Sequence, residues 1–319
     1  LSNKKRLTVH LYVTPLCNLE CKHCYYDAKS EQLVQERLLT INEMRSIIAN
    51  LSDTYSAAFD VEGGEFFLRD DIDKLFEVVQ EHYWKNITIT TNGTVSIGIK
   101  PKHLRCLDEF RISVEGHTDE LHQEVRGISL APVLKNCLLL HSNGVPITLR
   151  ITLHKKNFAY LFEMIEHFVK LGFTKFSLYE FQQVGRGSKH RDEYCLNQSE
   201  IEKIFNLLIS KSLVGDIEIF KLSLNRGRVS VVNSYREKLV HQGYNVIDLS
   251  GIPSLTINYN GEIGVCPWNI GNDVIGVFRE ESFNTDIARY MENGLLAHSC
   301  NHCSAIRVLY QSKNKGVVL

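Results

Sequence analysis

Cys17, Cys21 and Cys24, in the run VTPLCNLECKHCYYDA, are the residues whose types and spacing speak most directly of chemistry. Three thiolates at C-x3-C-x2-C spacing on one short loop can hold three irons of a cubane [4Fe–4S] cluster and leave the fourth open to a small molecule. A zinc knuckle completed by His23 or His10 is the competing reading, although zinc sites more often take C-x2-C pairs from two separate loops. A second set lies near the C-terminus, with Cys266 in INYNGEIGVCPWN and Cys300 and Cys303 in SCNHC. It too reads as an auxiliary iron–sulfur site or as a Cys3His zinc site using His298 or His302. Cys106 and Cys137 sit among apolar neighbours and read as inert core residues.

These ligands need elements to position them. The first half of the chain alternates short β-branched runs (Leu7–Val13, Ala58–Val61, Ile87–Thr90, Phe110–Val114, Pro146–Thr152, Lys175–Tyr179) with helical patterns (Ile41–Leu51, Ile72–Tyr83, Pro132–Ser142, Phe158–Leu171). In the third helix Val133, Cys137, Leu138 and Leu140 are expected to mark one buried face. Strand–helix repetition of this kind argues for parallel βα units with right-handed crossovers. Six such units are visible, too few for a closed eight-stranded barrel, and functional loops should follow the carboxyl ends of the strands. The first cysteine loop does follow the first strand. Beyond Gln198 the rhythm changes. A helix over Ser199–Lys211 leads to an irregular Arg- and Asn-rich stretch, Leu224–Tyr235. A hairpin follows from Ser254–Tyr259 to Glu262–Val265, with Asn260-Gly261 read as a type I′ turn, then a short helix over Asp286–Gly294. The expected division is 1–214 and 215–319, with only the tail SKNKGVVL loosely held.

Several strand-end loops carry residues suited to a ligand. Gly63 and Gly64, in VEGGEFFLRDD, let backbone approach closely, and Glu65 puts a carboxylate beside them; the same run also reads as an ordinary turn. Thr91, Asn92 and Gly93 close the third strand, again as a pocket loop or a plain turn. Ser113 and Glu115 share one strand face. Arg126 can pair bidentately with a carboxylate, as can Arg150, which otherwise reads as a barrel-rim ion pair. Tyr179 and Phe181 offer rings for a base or for the core.

The chain has 319 residues, 44% hydrophobic, with 36 Lys plus Arg against 37 Asp plus Glu and a net charge of −1. That suits one large domain or two modest ones. It excludes a broad basic face, so no nucleic-acid partner is expected. No apolar run reaches membrane-spanning length and no signal-peptide design opens the chain. Nine cysteines, six of them at cluster-like spacing, favour a reducing cytoplasm over a disulfide framework.

The C-x3-C-x2-C loop, with His23 just before its third cysteine and the strand-end motifs following in order, resembles the radical S-adenosylmethionine (SAM) enzymes over nearly the whole chain. The resemblance implies an open (β/α)6 partial TIM barrel, α/β in class, with a small C-terminal α+β domain of hairpin plus helix. It implies that Cys17, Cys21 and Cys24 hold a [4Fe–4S] cluster whose open iron chelates the amino and carboxylate groups of SAM. Reduction then cleaves the sulfonium to methionine and a 5′-deoxyadenosyl radical that abstracts hydrogen from substrate. Gly63-Gly64-Glu65 matches the run that bonds the SAM amino group, and Asn92 a loop lining the pocket. Ser113, Glu115 and Arg126 resemble an "S-x-D-G … R-G" segment for the ribose and methionyl carboxylate, with Glu115 in place of the usual Asp. Gly185-Arg186-Gly187 matches an adenine-side loop, with Tyr179 on the base.

Gly261, five residues before Cys266, and the later C-x2-C resemble a twitch domain, a shortened SPASM domain. This implies one auxiliary [4Fe–4S] cluster on Cys266, Cys300 and Cys303, with an open iron or a fourth ligand such as Cys195 or Asp248. It further implies an external electron donor such as flavodoxin or ferredoxin. The substrate is expected to be a ribosomally made peptide undergoing crosslinking, thioether formation or epimerisation, or else a small molecule such as a sugar, nucleotide or amino acid. With the cysteine loop so near residue 1, leader recognition is expected from a separate chain or by strand pairing at a sheet edge.

Overall fold

The computed structural model describes residues 4–28, 37–81, 86–95, 107–210, 217–224, 228–241, 244–248, 252–267, 274–293 and 304–310. Seven strands lie parallel in chain order: β1 (Arg6–Tyr12), β2 (Ser56–Glu62), β3 (Ile87–Thr91), β4 (Glu109–Ser113), β5 (Ile147–Leu153), β6 (Lys175–Glu180) and β7 (Ile217–Leu224). Further strands extend the same sheet on both flanks. β8 (Asn245–Asp248) pairs with β12 (Ser304–Tyr310), and β12 pairs antiparallel with β7. β9 (Ser254–Ile257) lies parallel to β1, followed outward by the antiparallel β10 (Glu262–Gly264) and β11 (Val274–Val277). The architecture is the α/β partial barrel expected of the βα repetition.

Each central strand alternates. Leu7, Val9 and Leu11 of β1, Phe59 and Val61 of β2, and Phe110 and Ile112 of β4 belong to one hydrophobic cluster with helix residues Met44, Ile47, Ile48 and Leu51. Their neighbours on the other face are polar: His10 stands opposite Asp60, and Ser113 opposite Arg150. A closed barrel fills its lumen with branched apolar side chains. Here the apolar side of the sheet is covered by helices, and the concave side is left to charged and hydroxylic groups.

The helices are placed by ordinary signals. The one over Ile41–Thr54 begins in a capping box, with Thr40 Oγ1 accepting from Glu43 N–H at 3.2 Å and Glu43 Oε2 from Thr40 N–H at 2.8 Å. That over Leu161–Lys170 buries Leu161, Phe162, Met164, Ile165 and Phe168, and a 3-10 turn over Phe158–Tyr160 precedes it. Among the described residues, no helix is long and apolar enough to cross a membrane.

Several local expectations are corrected. Leu138 is 42% exposed, because the buried stripe runs Val133, Cys137, Leu140 at steps of four and three. The stretch read as irregular holds a helix over Val229–His241, with Val231, Val232, Tyr235 and Leu239 buried at helical spacing. Polar residues around that stripe masked it. β7, β8, β11 and β12, and the helices over Asp119–Arg126 and Arg191–Tyr194, were not anticipated either. In the β9–β10 hairpin only Gly261 is left-handed (φ +89°), so Asn260-Gly261 is not type I′. Gly261 N–H instead bonds the Asn258 carbonyl at 2.9 Å, as in a three-residue connection ending on a left-handed glycine. The tail after residue 310 lies outside the described residues.

Candidate functional site

The loop carrying Cys17, Cys21 and Cys24 leaves the carboxyl end of β1 and is gripped from two sides. From β2, Gly64 N–H bonds the Thr14 carbonyl at 2.7 Å and Glu65 N–H bonds the Leu16 carbonyl at 2.6 Å. A Cβ on Gly64 would lie 1.9 Å from Leu16 O, so glycine here serves contact with the cysteine loop itself. From β6, Arg186 N–H bonds Cys24 O at 2.9 Å, and the guanidinium donates to Cys21 O at 3.2 Å and Ala28 O at 2.5 Å. Gly185 is left-handed (φ +57°), and a Cβ there would meet Tyr25 O at 2.3 Å. The Gly-Arg-Gly segment is therefore a staple on the cysteine loop, a role that sequence reading missed; an arginine between two glycines after a strand was the available signal.

All three cysteines line one open cleft of about 670 Å³, together with Gly63, Gly64, Asn92, Ser113, Arg126 and Arg150. The sulfurs face donors. Cys17 Sγ accepts from Leu19 N–H at 3.4 Å and from Asn92 Nδ2 at 3.8 Å, and Cys21 Sγ accepts from Arg126 Nη1 at 3.8 Å. Burial pushes the Cys21 thiol up to about 12 and also raises that of Cys17; coordination to a metal deprotonates such thiols outright. One zinc ion at about 2.3 Å from each sulfur would hold them about 3.8 Å apart. Among the described residues, only His10, Asp60 and Glu62 bring three potential ligand atoms within 4.8 Å of one another. The cysteines are thus spread wider than one zinc ion allows, with room between them in the cleft. This donor set fits a cubane bound through three corners.

The other expected residues divide. Gly63, Gly64, Asn92, Ser113 and Arg126 reach the cleft. Glu65 turns inward, fully buried, accepting from Thr91 Oγ1 at 2.6 Å, Asn92 N–H at 2.8 Å and Phe67 N–H at 3.2 Å. It ties the loops after β2 and β3 together, and burial raises its carboxyl. Glu115 is likewise buried; it accepts from Arg126 Nη2 at 2.7 Å and Thr152 N–H at 2.9 Å, and lies 3.3 Å from His23 Nε2. Tyr179 lies beneath the Arg150 guanidinium, 4.4 Å from ring centroid to Cζ. Phe181 is core, stacked on Tyr194.

Below the cleft runs a network that sequence reading missed except for Arg150 as an ion-pair candidate. Glu62 Oε2 accepts from Arg150 Nη1 at 3.0 Å and Tyr25 Oη at 2.8 Å, while Oε1 meets His10 Nδ1 at 3.2 Å. Arg111 stands 3.3 Å from Asp60 and 3.5 Å from Glu109. Burial alone would raise Glu62, but Arg150 and His10 hold it well below the usual carboxylate range. With two guanidiniums already on its carboxylates, the His10–Asp60–Glu62 group is an ion-pair network rather than a cation site. Polar and charged residues recurring at alternate positions of β1, β2, β4 and β5 were its signal.

Cys266 is buried just after β10. Cys300, Cys303, His298, His302 and Cys106 lie outside the described residues. Cys195 packs against Val125, Phe181 and Tyr194, and Asp248 ends β8, its backbone opposite Ile306. Cys137 is core, with burial pushing its thiol to about 12.

Comparison with known proteins gives this geometry a family. Residues 11–170 match the model described as the Radical SAM superfamily. The chain is 26% identical over 196 residues to the antilisterial bacteriocin subtilosin biosynthesis protein AlbA of Bacillus subtilis, covering 58% of this chain and 42% of AlbA. It is 27% identical over 249 residues to a probable GTP 3′,8-cyclase of Sulfurisphaera tokodaii, covering 75% of this chain and 76% of that protein. Among solved structures, Streptococcus suis SuiB bound to precursor peptide SuiA matches with a TM-score of 0.66 and 16% identity, over 98% of this chain and 68% of SuiB. The chain therefore spans less than half the length of AlbA.

Proposed function

The chain belongs to the radical SAM superfamily, and we propose that it modifies a ribosomally made peptide by radical chemistry begun on SAM. As a radical SAM enzyme it uses SAM and a [4Fe–4S] cluster; the observation that carries its site is the single cleft holding all three N-terminal thiols. When bound, the reduced cluster supplies the electron that splits SAM into methionine and a 5′-deoxyadenosyl radical, which takes hydrogen from substrate.

The residues of the chain do the rest. Cys17, Cys21 and Cys24 hold the cluster. Gly63 and Gly64, whose backbones border the cleft, admit the methionyl end of SAM. Glu65 fixes the Asn92 loop from behind, while Asn92 and Ser113 offer polar groups to the cofactor. Arg150 brings a guanidinium to the cleft from below, already oriented by Glu62 and Tyr179. Water must be kept from the cleft while the radical exists, because a primary alkyl radical takes hydrogen from stray donors. Residues 215–319 carry an auxiliary cluster on Cys266, Cys300 and Cys303, and electrons come from an external flavodoxin- or ferredoxin-like donor in a reducing cytoplasm.

Likeness to AlbA supports the peptide reading, as does β11. That strand ends the sheet order among the described residues, with Val274 and Val277 exposed, and an extended peptide can add to such an edge. A small-molecule substrate is the second reading, favoured by the longer coverage of the GTP 3′,8-cyclase and by the polar concave face of the sheet. Anaerobic reconstitution with iron and sulfide, then SAM and a strong reductant, tests the core. Release of 5′-deoxyadenosine that is lost in Cys24→Ala is expected; colourless protein carrying stoichiometric zinc would reject it. Cys266→Ala should keep some SAM cleavage while losing product. Mass shifts on peptides encoded beside the gene, against none on nucleotides, decide the substrate class.

A further inference from the structure

Arg126 and Glu115 are more than a pair for holding a ligand. The Arg126 guanidinium is buried; Nη2 is pinned to Glu115 Oε1 at 2.7 Å and Nη1 points at Cys21 Sγ at 3.8 Å. Glu115 is fixed in turn by Thr152 N–H at 2.9 Å. The pair is neutral in sum but oriented, with its positive end against the sulfur. Asn92 Nδ2 makes a matching, uncharged contact with Cys17 Sγ, itself held by Asn18 Oδ1 at 2.9 Å.

We propose that the Glu115–Arg126 pair, aided by Asn92, sets the reduction potential of the cluster on Cys17, Cys21 and Cys24. Hydrogen bonds and positive charge at cluster sulfurs stabilise the more negative, reduced form and so raise its potential. In a buried site little solvent screens that effect. The outcome is a cluster drawn toward the range of a biological one-electron donor. The inference rests on the cluster assignment above, and Arg126, Glu115 and Asn92 are positioning residues in it.

The test is a redox titration of the reconstituted protein, read by the reduced-cluster EPR signal and preceded by iron and sulfide analysis. Arg126→Gln removes the charge nearest the sulfur and is expected to cut the ratio of reduced to oxidised cluster at a fixed poise by about tenfold, which is about 59 mV for a one-electron couple. Glu115→Gln leaves Arg126 unopposed and should move the potential the opposite way. Asn92→Ala should give a smaller shift in the same sense as Arg126→Gln. Loosened packing cannot produce opposite signs from two partners of one ion pair, so shifts of one sign, or none, overturn the proposal. If Arg126→Gln does not load iron, Glu115→Gln and Asn92→Ala still decide by their opposed signs. Wild-type protein that takes up no cluster sinks the site assignment, and this inference with it.

Discussion

Arg186 donates to the Cys21 carbonyl at 3.2 Å across 165 residues of chain. With its second arm on Ala28 O and an ion pair to Asp27, this side chain closes the cysteine loop from the β6 side. Arg186→Met should cost about 1.5–3 kcal/mol, the range for hydrogen bonds to a charged group. Lower thermal midpoint, faster cleavage of the loop by protease and quicker iron loss to a chelator are the expected readings. Unchanged iron retention would show that the loop holds itself.

Gly64→Ala puts a methyl against Leu16 O, a backbone atom with no side-chain rotation to yield. We expect a loss of about 3 kcal/mol, the upper range for overpacking, and failure to bind the cluster. Gly127→Ala is the control. Gly127 is left-handed (φ +72°) with nothing within 4 Å of its Cβ position, so its cost is only about 1 kcal/mol of backbone strain. Chemical denaturation of both variants checks the contrast.

Glu62 and Arg150 should behave as a buried pair. Arg150→Met leaves the carboxylate uncompensated and should cost about 3–5 kcal/mol. Adding Glu62→Gln should restore part of that, and a double-mutant cycle in urea reads the coupling. In the wild type the depressed Glu62 carboxyl contributes stability above the unfolded value of about 4.3, and that contribution is lost as pH falls toward its folded value.

Acid should act earlier through two histidines. Burial lowers His122 and His154 to about 3. Each Nδ1 accepts a backbone N–H, from Glu115 at 3.3 Å and from Lys156 at 3.2 Å. Protonation would set donor against donor. Because the unfolded chain binds these protons first, stability should fall as pH drops below about 6.5, by up to about 1.4 kcal/mol per unit for each histidine. Urea midpoints at pH 7 and pH 5 test this; His154→Gln should flatten the slope by about half.

The order of βα units, the loop that bears the thiols and the glycines beside it were legible because spacing and alternation are local properties of a chain. Cys17, Cys21 and Cys24 needed only an eight-residue span to declare a shared ligand. Partners of buried charges were not legible. Whether Arg126 faces a ligand or Glu115, and that Glu62 meets Arg150 across 88 residues, depend on which side chains the folded sheet brings together. The same holds for the helix over Val229–His241, whose narrow apolar stripe gains meaning only against Phe205. Sequence by itself determined which chemistry the chain carries and on which strand end. Tertiary structure decided how each charge is neutralised, because a buried ion must find a counter-ion in space rather than along the chain.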